Sequence, residues 1–259
     1  MWCSLRGKIA VAGKGGVGKT TVAANLARLM SRMGLKVIAV DADPSLGLAA
    51  SLGIPLEAIR PVLLDKALVA ERTGVQGGYG LFFKLNPKVD DIVERYGVPG
   101  PDGVTLLPLG TIEQAGSGCF CPEIAMLRAL LRHLLLQRGE AVVVDLEAGL
   151  EPFGRGLAKH LDVLIVVVEP SVKSIQLAKR IVAMAHDSGV RNVYVLANKW
   201  VGETAELEEV PALLIGVVPY DELVVKADRE GVPLLDYEGS RAAEALLEIS
   251  RRLVSELGG

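Results

Sequence analysis

Gly13-Lys14-Gly15-Gly16-Val17-Gly18-Lys19-Thr20 follows the apolar run Ile9-Ala10-Val11-Ala12 and opens a stretch with helical periodicity. A glycine-rich string between a strand and a helix, ending in Gly-Lys-Thr, lets successive backbone N–H groups converge on phosphate oxygens, and the helix start adds its positive dipole end. Gly13, Gly15, Gly16 and Gly18 supply the curvature, with Val17 among them. Lys19 is placed to reach β- and γ-phosphates, and the Thr20 hydroxyl to ligate Mg²⁺. Lys14 is an additional cation on the side of the loop away from Lys19. There it is placed to cross an interface and supply positive charge in trans to a second subunit's phosphates, as an arginine finger does.

Working outward, short apolar runs alternate with helical stretches, the pattern of crossover-connected parallel strands. Strands are expected over 8–12, 36–40, 104–108, 141–146, 163–168, 192–197 and 213–218, and helices over 19–33, 124–138, 171–188 and 241–257. Several strands are apolar at both alternating positions, so they should be central and covered on both faces. The fold class is therefore α/β: a doubly wound, mainly parallel sheet with helices on both faces, in a single domain over residues 1–259. Residues 73–103 hold too many glycines and prolines for regular structure and are expected to form a long, partly mobile excursion.

A net charge of −3 gives no general electrostatic reason to bind nucleic acid or an anionic membrane. No apolar run approaches the ~20 residues that span a bilayer, and residues 1–6 do not resemble a secretory leader, so the expected location is cytoplasmic. In the segment 241–257, Glu244, Glu248 and Glu256 offset Arg241, Arg251 and Arg252 opposite an apolar face, which favours docking on the sheet over lying on a membrane.

Two carboxylate strings end strands. Asp41-Ala42-Asp43-Pro44 follows the second strand, and Asp145-Leu146-Glu147-Ala148-Gly149 ends the fourth, where open α/β sheets bind ligands. Asp145 is the candidate Mg²⁺ carboxylate and Asp43 the group that orients or deprotonates the attacking water, while Asp41 and Glu147 are expected to be ordinary solvent-facing acids. Asn198-Lys199-Trp200-Val201 lacks the aspartate that reads guanine, so adenine is the expected base, with Asn198 and the Val218-Pro219-Tyr220 loop as its contacts. The nucleotide set is thus residues 13–21, including Thr21, with Asn198, Lys199 and Pro219.

Of three cysteines, Cys119 and Cys121 form a C-x-C pair just before a helix. In an extended segment both sulfurs point to one side with Cα atoms ~6–7 Å apart, near the limit for a disulfide. Thiophilic ions commonly take four ligands, so a shared metal on a two-fold axis is one reading and inert or redox thiols are the others. Cys3, His133, His160 and His186 are read as structural.

These residues carry a resemblance. The loop with Lys14, Asp41-Ala42-Asp43-Pro44 and 145–149 look like the deviant Walker family, which includes partitioning and septum-placing ATPases and the nitrogenase iron protein. The strings Leu85-Asn86-Pro87-Lys88-Val89-Asp90, Gly116-Ser117-Gly118-Cys119-Phe120-Cys121, Glu169-Pro170-Ser171 and Ile215-Gly216-Val217-Val218-Pro219-Tyr220 resemble the CooC-type accessory ATPases of carbon monoxide dehydrogenase. The resemblance implies ATP and Mg²⁺ as cofactors and a homodimer closing on ATP or on Ni²⁺ or Zn²⁺ held by two C-x-C pairs. It also implies nickel insertion into the apo form of carbon monoxide dehydrogenase. Lys14 would be the trans lysine, Lys19 the phosphate lysine, Asp43 the catalytic carboxylate and Cys119 with Cys121 the metal ligands. The competing readings are an ATP-gated iron–sulfur redox protein resembling the nitrogenase iron protein, and a positioning ATPase on membrane or DNA.

Overall fold

The computed structural model describes residues 7–43, 45–75, 84–110, 121–136, 140–146 and 158–258. The loop is held between β1 (Lys8–Gly13) and α1 (Lys19–Arg32). The other strands are β2 (Val37–Ala42), β3 (Val98–Pro99), β4 (Thr105–Pro108), β5 (Ala141–Leu146), β6 (Val163–Val168), β7 (Asn192–Trp200) and β8 (Leu213–Pro219). They form one eight-stranded sheet in the order β3-β4-β2-β5-β1-β6-β7-β8. Every pairing is parallel except β3 with β4.

Double-sided burial explains why the strands are apolar throughout. Along β1, Ile9 and Val11 enter one core while Ala10 and Ala12 enter the other, and β6 divides in the same way. The first core is closed by α1, α2 (Gly47–Ser51), α7 (Glu222–Glu230) and α8 (Arg241–Gly258). Opposite lie α3 (Lys66–Thr73), α4 (Ile92–Tyr96), α5 (Cys121–Leu136) and α6 (Val172–Asp187). In α8 the apolar face sits on the sheet through Leu246, Ile249 and Leu253, and no helix among the described residues is long and apolar enough to cross a membrane.

Within the excursion 73–103, the described residues 84–103 are more ordered than their composition suggests. Residues 76–83 lie outside the described set, but α4 and β3 are regular. Side chains fasten this region: the Tyr96 hydroxyl donates to Asp65 at 2.6 Å, Arg72 pairs with Asp91 at 2.7 Å, and Arg28 from α1 donates to Asp102 at 2.7 Å. Breakers forbid long helices, yet a five-residue helix needs few consecutive helix formers when tertiary contacts hold it. The fifth helix begins at Cys121 rather than at 124, so Cys121 is its first residue instead of part of an extended lead-in. Cys119 lies outside the described residues, as do Cys3 and Glu147-Ala148-Gly149.

Candidate functional site

The loop's shape is built into its backbone and its neighbours. Gly18 has φ 93°, a left-handed conformation, and a Cβ there would run into the Asn198 amide nitrogen. At Gly13, φ is 151° and a Cβ would come within 2.5 Å of the Val167 carbonyl on β6. Both positions demand glycine. Two residues at the end of β7 brace the loop from below: Asn198 Nδ2 donates to the Val17 carbonyl at 2.7 Å and Lys199 Nζ to the Gly16 carbonyl at 2.6 Å. Lys199 itself sits at φ 55°, a conformation uncommon outside glycine. These bonds hold the Gly16 and Val17 carbonyls toward the end of β7, and the Val17 N–H closes the turn on the Lys14 carbonyl at 3.3 Å.

Helix α1 starts at Gly18 with no side chain capping it, so the N–H groups of its first turn are offered to an anion. Lys19 is buried beside them. At Gly15 a Cβ would meet nothing within 4 Å, as a cradle open to a phosphate requires. The loop therefore fits the group that the sequence implies.

Asp41 and Asp145 are partners across adjacent strands β2 and β5, and both are fully buried. This corrects the reading of Asp41 as a solvent-facing acid. Its two oxygens accept backbone N–H bonds from Asp43 at 3.2 Å and from Leu48 at 3.0 Å, so it fixes the loop between β2 and α2. Burial pushes its acid up to about 6, against the pull of those two N–H groups. Asp43 is half-buried, and its Oδ1 accepts from the Ser45 amide at 2.9 Å and the Ser45 hydroxyl at 2.7 Å, an Asx turn that holds the carboxylate at the rim.

Asp145 differs from Asp41 in that no backbone N–H serves its oxygens. Neither of its oxygens has a hydrogen-bonding partner of good geometry. Burial pushes its acid up to about 7; the nearby Thr20 hydroxyl and Lys19 pull it down, and Asp41 pushes it further up. A buried, unpartnered carboxylate beside the Thr20 hydroxyl fits a hard divalent cation, which takes oxygen ligands. Thr20 and Asp145 are thus the residues that would hold Mg²⁺.

A pH dependence follows from this burial. The unfolded Asp145 carboxyl ionises near the ordinary value of ~3.9, the folded one near 7. Between those values the folded chain binds more protons than the unfolded chain, so stability falls as pH rises through this window, by on the order of 4 kcal/mol. Asp41 adds loss of the same sign up to about pH 6. Thermal melts of the nucleotide-free chain should give a Tm that drops from pH 5 to pH 8, with a shallower drop in Asp145→Asn. Mg²⁺ with ATP should raise Tm more at pH 8 than at pH 5.5, because the ionised carboxylate is the cation's ligand. Identical slopes in the two chains would remove Asp145 as a buried unpaired acid.

Lys14 lies on the outer side of the loop, where it pairs with Glu169 of its own chain at 2.9 Å. Pro219 ends β8 on the edge beyond β7, with Pro219 paired to Trp200. The structure thus gathers the loop, Asp43, Asp145, Asn198, Lys199 and Pro219 at the carboxyl ends of the parallel strands, as open α/β sheets do with their ligands. Sequence reasoning missed Glu169 as a site residue, although its string Glu169-Pro170-Ser171 stood out; it also missed the buried role of Asp41.

A model of the CobQ/CobB/MinD/ParA nucleotide binding domain matches residues 8–234. The carbon monoxide dehydrogenase accessory protein CooC of Rhodospirillum rubrum is 43% identical over 240 residues, covering 88% of this chain and 89% of that protein. The chain is a CooC-type member of the MinD/ParA family. As such it is a P-loop ATPase. An uncharacterised ATP-binding protein of Methanocaldococcus jannaschii is 44% identical over 247 residues, covering 92% of this chain and 95% of that one. Solved structures show the same fold: the MinD cell division protein of Aquifex aeolicus gives a TM-score of 0.71 at 22% identity, covering 96% of this chain and 97% of its own. The septum site-determining protein MinD of Pyrococcus horikoshii, complexed with Mg-ADP, gives 0.70 at 22% identity, covering 97% of this CooC-type chain and 96% of that one.

Proposed function

We propose that this CooC-type ATPase works as a cytoplasmic homodimer that couples ATP turnover to delivery of nickel into apo carbon monoxide dehydrogenase. The observation that carries the reading is the 43% identity, across 88% of the chain, to a protein named as the accessory factor of that enzyme. The complete loop and carboxylate set described above supports it.

In this reading the α1 N-terminus and the loop N–H groups hold the phosphates, and Lys19 neutralises the β- and γ-oxygens. Thr20 and Asp145 would hold Mg²⁺, which would add positive charge where the phosphoryl group is transferred. Asp43 orients a water and accepts its proton. Lys14 reaches the partner's nucleotide, and Asn198 and Pro219 border the adenine. Cys119 and Cys121 of two chains hold one Ni²⁺ or Zn²⁺ at the same interface, so loss of the γ-phosphate alters the ligand set and frees the cargo. No nucleic acid or membrane takes part.

Reconstitution tests the reading. Apo carbon monoxide dehydrogenase, a limiting nickel supply and this chain should yield active enzyme faster with ATP than without, and the chain carrying Lys19→Ala should give no ATP-dependent increase. Equal nickel incorporation with and without the chain would sink the proposal.

A further inference from the structure

Lys14 is the cation that the proposed dimer sends across its interface, yet in the single chain it is folded back. Strand β6 runs beside β1, pairing Gly13 with Val167, so Glu169 comes to lie next to the residue that follows β1. Glu169 Oε1 accepts from Lys14 Nζ at 2.9 Å and from the Ser171 hydroxyl at 3.5 Å. The other oxygen, Oε2, is 3.9 Å from Lys199 Nζ. The Glu169 backbone is pinned as well: its N–H donates to Ser174 Oγ at 3.1 Å and its carbonyl accepts from the Ser171 N–H at 2.7 Å. One anchored carboxylate is therefore shared by Lys14 on the glycine-rich loop and Lys199 near the end of β7.

We infer that Glu169 is a positioning residue that holds Lys14 in cis and sets the protein concentration at which the ATP-bound chains close on each other. This rests on the reading of Lys14 as the trans lysine. The side chains of Lys14 and Glu169 are 35% and 21% exposed, so the pair is sheltered enough to form and open enough for the lysine to swing out. Its release leaves no orphaned charge. Lys199 stays tethered to the Gly16 carbonyl and remains within reach of Glu169 after Lys14 departs. A carboxylate carries one negative charge and the partner's terminal phosphate more, so nucleotide in the facing chain is the competitor that can draw Lys14 away. Without it, Lys14 stays on its own chain. The ion pair then opposes closure of empty chains and is exchanged, not merely lost, when ATP is present.

Glu169→Gln preserves size and removes the charge. Sedimentation of the full chain with Mg²⁺ and a non-hydrolysable ATP analogue should show its half-maximal dimerisation at a concentration about threefold or more below wild type. The gap should narrow between ~0.05 M and ~0.5 M salt, as screening weakens the wild-type pair. Glu169→Ala should move the threshold the same way. A purely structural role for Glu169 would lower Tm without lowering the threshold. A threshold equal to or above wild type in both variants overturns the inference. Lys14→Ala run in parallel separates the failures: if it dimerises as wild type does, the trans-lysine reading itself is wrong, whereas if it fails to dimerise while the Glu169 variants are unmoved, only the role of Glu169 falls.

Discussion

Lys14→Ala should lower the steady-state ATPase rate by about 10³-fold while leaving ATP affinity of the isolated chain within a few-fold of wild type. The size comes from the effect of cations supplied in trans to a transferring phosphoryl group, which is 10³ or more. The direction comes from the structure: Lys14 lies on the outer side of the loop against Glu169, whereas Lys19 is buried at the start of α1. Lys19→Ala therefore differs in kind. It removes the cation inside the cradle, so calorimetry should show nucleotide binding weakened together with hydrolysis, and it leaves Asp145 with one fewer opposing charge. The contrast between the two variants is the informative measurement. Loss of binding in both would mean that Lys14 serves its own nucleotide, and full hydrolysis by Lys14→Ala would end the two-lysine mechanism.

The parts of the site that could be read from sequence are those that local pattern determines. The loop is contiguous, and its strand–loop–helix context is set by neighbouring residues, so Gly13 to Thr20 fall where the string requires. Strands β5 and β6 match their expected limits because both faces are buried and every position but Asp145 is apolar. What escaped depends on residues far apart in the chain. Glu169 meets Lys14 across 155 positions, and no window of sequence contains both. Asp41 looked exposed because a polar residue at a strand end normally is; here α2 folds over it, with the Leu48 N–H donating to one carboxylate oxygen and the Asp43 N–H to the other. The available signal was symmetry, since Asp41 and Asp145 each end an apolar strand and turn out to be register partners. Strand β7 runs on to Trp200 because Asn198 and Lys199, polar by sequence, are tied to the loop carbonyls. Short elements such as α4 exist through contacts with Asp65 and Asp91, and composition alone does not reveal those contacts.

Replacing both Cys119 and Cys121 by serine should abolish stoichiometric binding of Ni²⁺ or Zn²⁺, the largest change expected outside the phosphate site. Each chain brings two thiols in the C-x-C pair, and four-coordinate thiolate sites are the common case for Zn²⁺, so one ion should be shared by two chains. Wild-type chains loaded under anaerobic conditions should then hold about half an equivalent per protomer. Either single replacement leaves two sulfurs around the axis instead of four, which should lose the ion and the metal-dependent dimer together. ATP binding should survive, because the cradle is made by the loop, α1 and the ends of β2, β5 and β7, none of which contains a cysteine. Titration with Ni²⁺ gives the spectroscopic readout, a sulfur-to-metal charge-transfer band that the serine chains lack. Because thiolates bind only when deprotonated, the apparent affinity should rise with pH. If the wild-type chain holds one ion per monomer, or the doubly substituted chain keeps its metal, the pair is not a shared site, and coupling of ATP turnover to cargo release must be sought elsewhere in the interface.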